Sequence, residues 1–149
     1  MRYFLTFFGI FLILACSNTK TATTKTIAEQ PKPTTKHEIF EYKEGDTTYV
    51  MQKYFLVLLK KGSNRTHDAT TAAEIQKQHL EHLSWLGEIG KVSIVGPSQG
   101  HETVAGFVLF NTETLQEADS LAKLDPAVKA GRLEVETIPW WAAKGSKLK

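Results

Sequence analysis

Two imidazoles stand where a helix would be expected to turn an apolar side inward. In the stretch Ile75-Gln76-Lys77-Gln78-His79-Leu80-Glu81-His82-Leu83, a rotation of about 100° per residue gathers Ile75, His79, His82, Leu83, Leu86 and Ile89 on one face. His79 lies near the middle of that stripe. Such a histidine reads either as a hydrogen-bonded core residue or as a general acid or base, because imidazole can take up or release a proton near neutral pH. His82 follows three residues later, but Glu81 points about 100° away from His82 and about 200° from His79. No third side chain has recognisable ligand spacing, so the pair predicts no metal site, and His82 reads as lining the edge of a core or pocket.

Other residues offer chemistry with a plain structural use beside it. Asp125 precedes Pro126, which suits a helix N-cap followed by proline at the first helical position, and Gly131 supplies the stop. Arg65, in "KKGSNRTHD", is suited to a carboxylate or phenolate at a pocket mouth; a solvated loop with a capping acid explains the same residues. Trp140 and Trp141 follow Pro139 and present a flat apolar wall, suited to an aromatic ligand or to sealing a core or an interface between copies. Trp85 is off the helix stripe and is expected to seal an edge. His67 and His101 fall in expected loops and read as solvated.

Positioning these groups requires a fold. "EIFEYKEGDTTYVMQ" reads as a small hairpin around Gly45-Asp46, followed by "KYFLVLLKK" as a separate, central apolar strand. Thr71 and Glu74 have the spacing of a capping box, which opens a helix running to about Glu88 and ended by Gly90. "KVSIVGP" and "TVAGFVLFNT" are strands; Gly106 within the second suggests a bulge or a close approach. A helix over Leu115 to Ala122, the single turn "DPAVKAG" and a last strand "RLEVETIPWW" complete the chain. The order is the split βαβ, ferredoxin-like βαββαβ arrangement of an α+β domain with an extra N-terminal β-hairpin. Such a sheet leaves one apolar face uncovered by helices, which predicts a homodimer with the two sheets facing each other.

The N-terminus has a different character. One basic residue precedes an apolar run from Tyr3 to Ala15 that is short for a bilayer span, then the chain's only cysteine. Ile13-Leu14-Ala15-Cys16 has the form of a bacterial lipobox. Residues 1–15 therefore read as a lipoprotein signal peptide, and 16–36 as a lipidated Cys16 on a flexible Thr- and Lys-rich tether. The folded domain is expected over 37–149. These features predict an exported lipoprotein of the cell envelope, held by Cys16 in a membrane, the outer one if the host is Gram-negative. The chain carries +2 overall. Arg2 supplies one of those charges, and four tether lysines against Glu29 supply three more, so the domain is about −2, which argues against nucleic acid. A single cysteine excludes an intrachain disulfide.

Three stretches, "HLEHLSWLGEIGKVSIVGP", "VAGFVLFNTETLQEADSLAKLDPAVKAG" and "RLEVETIPWW", together resemble the YCII-related domain, a group of small dimeric ferredoxin-like α/β-barrel proteins. The resemblance runs from about Lys53 to Trp141. It implies an active-site pair formed by the helix histidine and the aspartate of the Asp-Pro turn, here His79 and Asp125, with the carboxylate orienting the ring. Members of that group are linked to elimination of chloride from a chlorinated hydroxyquinol. Related barrels isomerise or oxidise small aromatic or lactone substrates. Arg65, His82, Gly96 and Trp140 complete the candidate substrate-binding set. The resulting expectation is a lyase or isomerase that uses general acid-base catalysis without a cofactor on a small cyclic or aromatic molecule. The alternative is a non-catalytic small-molecule-binding or envelope-assembly module.

Overall fold

The computed structural model describes residues 36–148. The expected signal peptide, Cys16 and the expected tether up to residue 35 lie outside them. Five strands and three helices follow one another as β1 (Ile39–Glu44), β2 (Thr47–Lys61), α1 (Ala69–Glu88), β3 (Val92–Pro97), β4 (Val104–Phe110), α2 (Leu115–Lys123), α3 (Pro126–Lys129) and β5 (Leu133–Ala143). All ladders are antiparallel. Residues Phe55 to Lys60 of β2 pair with β4 and β5 at once, so these two strands lie on opposite edges of β2. With β3 beyond β4, the sheet reads β5-β2-β4-β3, which is the ferredoxin-like order.

The expected hairpin and central strand are one element. β2 runs unbroken for 15 residues, its first half pairing with β1 and its second half with β4. No turn residue interrupts the stretch from Gln52 to Lys53, and β5 pairs continuously with it from Met51 to Lys61. The helix start also differs from expectation. Asp68 rather than Thr71 is the N-cap of α1, its carboxylate accepting from Thr71 N at 2.8 Å and Thr71 Oγ1 at 3.1 Å. An aspartate three residues ahead of a backbone N–H can reach it, whereas Thr71 is already inside the first turn.

The hydrogen bond from Thr71 N holds the Asp68 carboxyl below its ordinary value of 3.8. A depressed folded-state value contributes stability that is complete above the ordinary carboxylate range and is lost as pH falls through the folded value. Asp68→Asn keeps a capping acceptor but cannot titrate. It is expected to leave thermal stability at neutral pH nearly unchanged and to flatten its decline in acid, as measured by circular dichroism melts across that range.

Gly106 meets both sequence expectations. The β2–β4 register shifts between Leu59 and Lys60 opposite it, and a Cβ there would stand 2.8 Å from Gly96 O. On the helix side of the sheet, Phe55, Val57 and Leu59 from β2 and Val108 and Phe110 from β4 pack with Leu83 and Leu86 of α1 and Ala118 and Ala122 of α2. Burying Leu86 or Phe110 in this way contributes about 1.5–3 kcal/mol each. No helix among the described residues covers the other face. There Leu56 lies between Leu109 and Ile138, Leu58 beside Phe107, and Tyr54 beside Trp140; Phe107, Ile138 and Trp140 are exposed.

Candidate active site

His79 and Asp125 meet although 46 residues separate them. His79 Nδ1 lies 2.6 Å from Asp125 Oδ2, and both residues are buried. The other carboxylate oxygen, Oδ1, accepts from Ala127 N at 2.8 Å, so Asp125 caps α3 with one oxygen and holds the imidazole with the other. Because a carboxylate accepts, the neutral ring carries its proton on Nδ1 and a lone pair on Nε2. Nε2 has no hydrogen-bond partner among the described residues.

The spacing between α1 and α3 is set at the far ends of their connections. The β2–α1 loop is stitched to the turn after α3: Gly62 N donates to Arg132 O at 2.9 Å, Asn64 N to Gly131 O at 3.1 Å, and Asn64 Nδ2 to Ala130 O at 3.0 Å. Gly131 adopts φ +69°, a left-handed conformation that glycine accepts without strain. Asn64 Oδ1 in turn accepts from Thr66 Oγ1 at 2.9 Å. The "KKGSNRTHD" segment is therefore a fastening between two helix connections, and Asn64 rather than Arg65 is its central polar residue.

A cavity of about 730 Å³ opens beside His79, between α1 and β3. Leu80 and Leu83 line it from the helix, Val92 and Val95 from β3, and Leu59 and Leu133 from the sheet behind; Gln76, Ser84 and Ser93 add the polar groups. A site of this size, mostly apolar with a few polar groups, suits a small organic molecule.

Of the candidate substrate-binding residues, the structure brings Gly96 to this cavity and places Arg65, His82 and Trp140 away from its lining. Three residues advance a helix by about 300°, and that offset turns His82 toward α2. Its Nε2 lies 3.0 Å from Leu121 O and its ring is tilted against Trp85, with centroids 5.6 Å apart. Arg65 is an exposed loop residue. Trp140 borders smaller hollows on the sheet face away from the helices, and Trp141 packs edge-on against Phe40 at 4.9 Å. His101, expected to be merely solvated, accepts at Nδ1 from Thr103 N and Val104 N and so closes the β3–β4 turn. Gln76, Leu80 and Ser84 line the cavity although they lie outside the helix stripe. They recur at four-residue spacing one position on from the core stripe, the pattern of a helix flank that faces a cleft. Among the described residues no three His, Cys, Asp or Glu side chains converge as a metal centre would require.

The YCII-related domain matches residues 54–141, which is more than half of the chain and includes both His79 and Asp125. This chain belongs to that family. The match begins inside β2, so the β1 hairpin stands outside it. Among solved structures, 5-chloro-2-hydroxyhydroquinone dehydrochlorinase (TftG) from Burkholderia phenoliruptrix AC1100, in complex with 2,5-dihydroxybenzoquinone, aligns with a TM-score of 0.45 at 23% identity, over 58% of this chain and 92% of that one. No curated protein matches the sequence.

Proposed function

We propose that this YCII-related protein is a membrane-anchored, homodimeric acid-base enzyme of lyase or isomerase type, working without a cofactor on a small cyclic or aromatic molecule. The observation that carries the reading is the buried His79–Asp125 pair, whose histidine lines a mostly apolar cavity. A base needs a lone pair, a partner that stabilises its protonated form and a place for substrate. Nε2 supplies the first, the Asp125 carboxylate the second and the cavity the third. In the forward step a substrate proton passes to Nε2, and the resulting imidazolium rests on Asp125. In the return step the same proton is delivered to a different atom, which isomerises the substrate, or to a departing group, which completes an elimination.

The test is a turnover screen with hydroxylated and halogenated aromatics and lactones, run on wild type and His79→Gln in parallel. A reaction that the variant performs as fast as wild type rules the reading out.

The homodimer rests on the helix-free face, where Phe107, Ile138 and Trp140 are exposed together. Phe107→Glu combined with Ile138→Lys is expected to halve the mass measured by light scattering while leaving the circular dichroism spectrum unchanged. An unchanged mass removes this interface. The anchor rests on the lipobox form around Cys16. Metabolic labelling with a fatty-acid analogue is expected to mark the wild-type chain and to miss Cys16→Ser, which would then partition into the soluble fraction.

One observation favours a second reading, that of an envelope-assembly module. The β1 hairpin outside the family match exposes Ile39, Phe40, Tyr42, Tyr49 and Val50. A ribbon so apolar is poorly stable when neither face is covered.

A further inference from the structure

The strand that lies outside the family match ends the sheet with an open edge. β1 precedes the matched residues 54–141, is exposed along its whole length and pairs, among the described residues, with β2 alone. Lys53 N donates to Glu38 O at 2.9 Å, so the main chain of Glu38 faces β2. These groups alternate sides along an antiparallel strand, so Phe40, Tyr42 and Glu44 also bond inward while Ile39, Glu41 and Lys43 turn their N–H and C=O groups outward. None of those outward groups has a partner among the described residues. The other outer strands carry proline, Pro97 in β3 and Pro139 in β5, which interrupts strand addition. β1 has no proline, and its register with β2 runs without a shift from Ile39 to Glu44.

We infer that β1 pairs with β1 of a second copy of this chain, antiparallel about a two-fold axis at Tyr42, so that the two sheets run on as one. Outward groups must meet outward groups, which requires the axis to pass through a residue rather than between two. An axis at Glu41 sets two carboxylates opposite each other, and one at Lys43 sets two ammonium groups opposite, both unfavourable. One at Phe40 sets Glu41 against an isoleucine. Only the Tyr42 axis brings Glu41 against the partner's Lys43 and Lys43 against the partner's Glu41, each pair exchanging both of its N–H···O bonds. Neither side chain has an ion pair within its own chain among the described residues. Charges on an edge strand ordinarily repel an added strand; here they select one. On the opposite face Tyr42 already stacks with Tyr49 across the ribbon, ring centroids 6.4 Å apart, and the axis sets the partner's Tyr42 next in that row. This contact is distinct from the helix-free face and independent of the acid-base reading.

Disulfide trapping tests it, using the full chain in detergent micelles with wild type oxidised alongside to report any linkage through Cys16. At the Tyr42 axis the two Tyr42 positions form a non-hydrogen-bonded pair with Cα atoms about 4.5 Å apart, within disulfide reach. The two Glu41 positions are offset by two residues along the strands, beyond about 7 Å and out of reach. Mild oxidation is expected to link Tyr42→Cys into dimers about tenfold more than Glu41→Cys. Equal linkage of the two variants, linkage of Glu41→Cys alone, or no linkage above wild type overturns the inference. The last result would leave the edge to residues 1–35 of the same chain or to another protein. A second measurement keeps Tyr42 in place. Lys43→Glu sets Glu41 against a carboxylate and is expected to lower the mass by light scattering about twofold. Adding Glu41→Lys to it restores opposite charges in the same register and is expected to recover the mass. A mass unmoved by Lys43→Glu, or not recovered by the exchange, also overturns the inference.

Discussion

Replacing His79 by glutamine is expected to lower kcat/KM by about 10²–10⁴ on any substrate the protein turns over, the range that loss of a positioned general acid or base produces. Glutamine can offer its amide N–H to Asp125 Oδ2, so the buried carboxylate keeps a donor and the fold is expected to survive. What disappears is the basic lone pair of a residue that lines the cavity. Asp125→Asn makes the complementary point without removing the histidine. Asp125 Oδ1 is committed to Ala127 N at 2.8 Å. An asparagine that keeps this cap turns its NH₂ toward His79 Nδ1, which must then accept, and the ring proton moves to Nε2. The base would face substrate in the wrong tautomer. Nitrogen chemical shifts are expected to show protonation exchanged between the two ring positions, with a loss of turnover approaching that of His79→Gln. Because the pair acts as a unit, the double variant should be no worse than the more damaged single one. Additive losses would mean that the two residues contribute independently.

The histidine could be found in the sequence because a helix stripe has a period, and a polar residue within it stands out. Its partner had no such signal. Asp125 lies 46 residues away, and its local pattern is fully explained by capping α3, a role it does fill. Only the resemblance to a family joined the two. The strand and helix order was legible for the same reason as the stripe, since Phe55, Val57 and Leu59 alternate and Leu83 and Leu86 recur at helical spacing. Continuity was less legible than identity: Gly45-Asp46 marks a turn, but nothing marks the absence of one between Gln52 and Lys53. The cavity was least legible of all. It exists because α1 and β3 stand apart, and no residue pattern reports a separation between elements. His82 and Trp140 were grouped with the site by residue type, whereas their positions on the helix and on the sheet's pleat send them elsewhere.

Gly62→Ala is expected to be among the most destabilising single substitutions in the domain. Gly62 is buried, and a Cβ on it would fall onto the carbonyl oxygen of Gly131 and within 2.9 Å of the Arg132 carbonyl carbon. Those neighbours are backbone, so no side chain can swing aside. Relief requires the two connections to separate, stretching the bonds from Gly62 N to Arg132 O and from Asn64 N to Gly131 O. Overpacking a rigid contact costs about 1–3 kcal/mol and occasionally more, and with the stitching lost as well we expect about 3 kcal/mol. Urea unfolding should show a lower midpoint with an unchanged slope. Gly87→Ala is the control: it lies within α1 with open space where its Cβ would stand, and it should stabilise by about 0.5–1 kcal/mol. The loop joined by Gly62 and Asn64 leads into α1, and the turn it grips leads out of α3, so the strain should reach His79 and Asp125. In the folded fraction of Gly62→Ala the His79 nitrogen signals are therefore expected to move as though the Asp125 hydrogen bond had weakened. A variant that is destabilised with an unaltered His79 signature would show that the fastening supports the fold without setting the geometry of the pair.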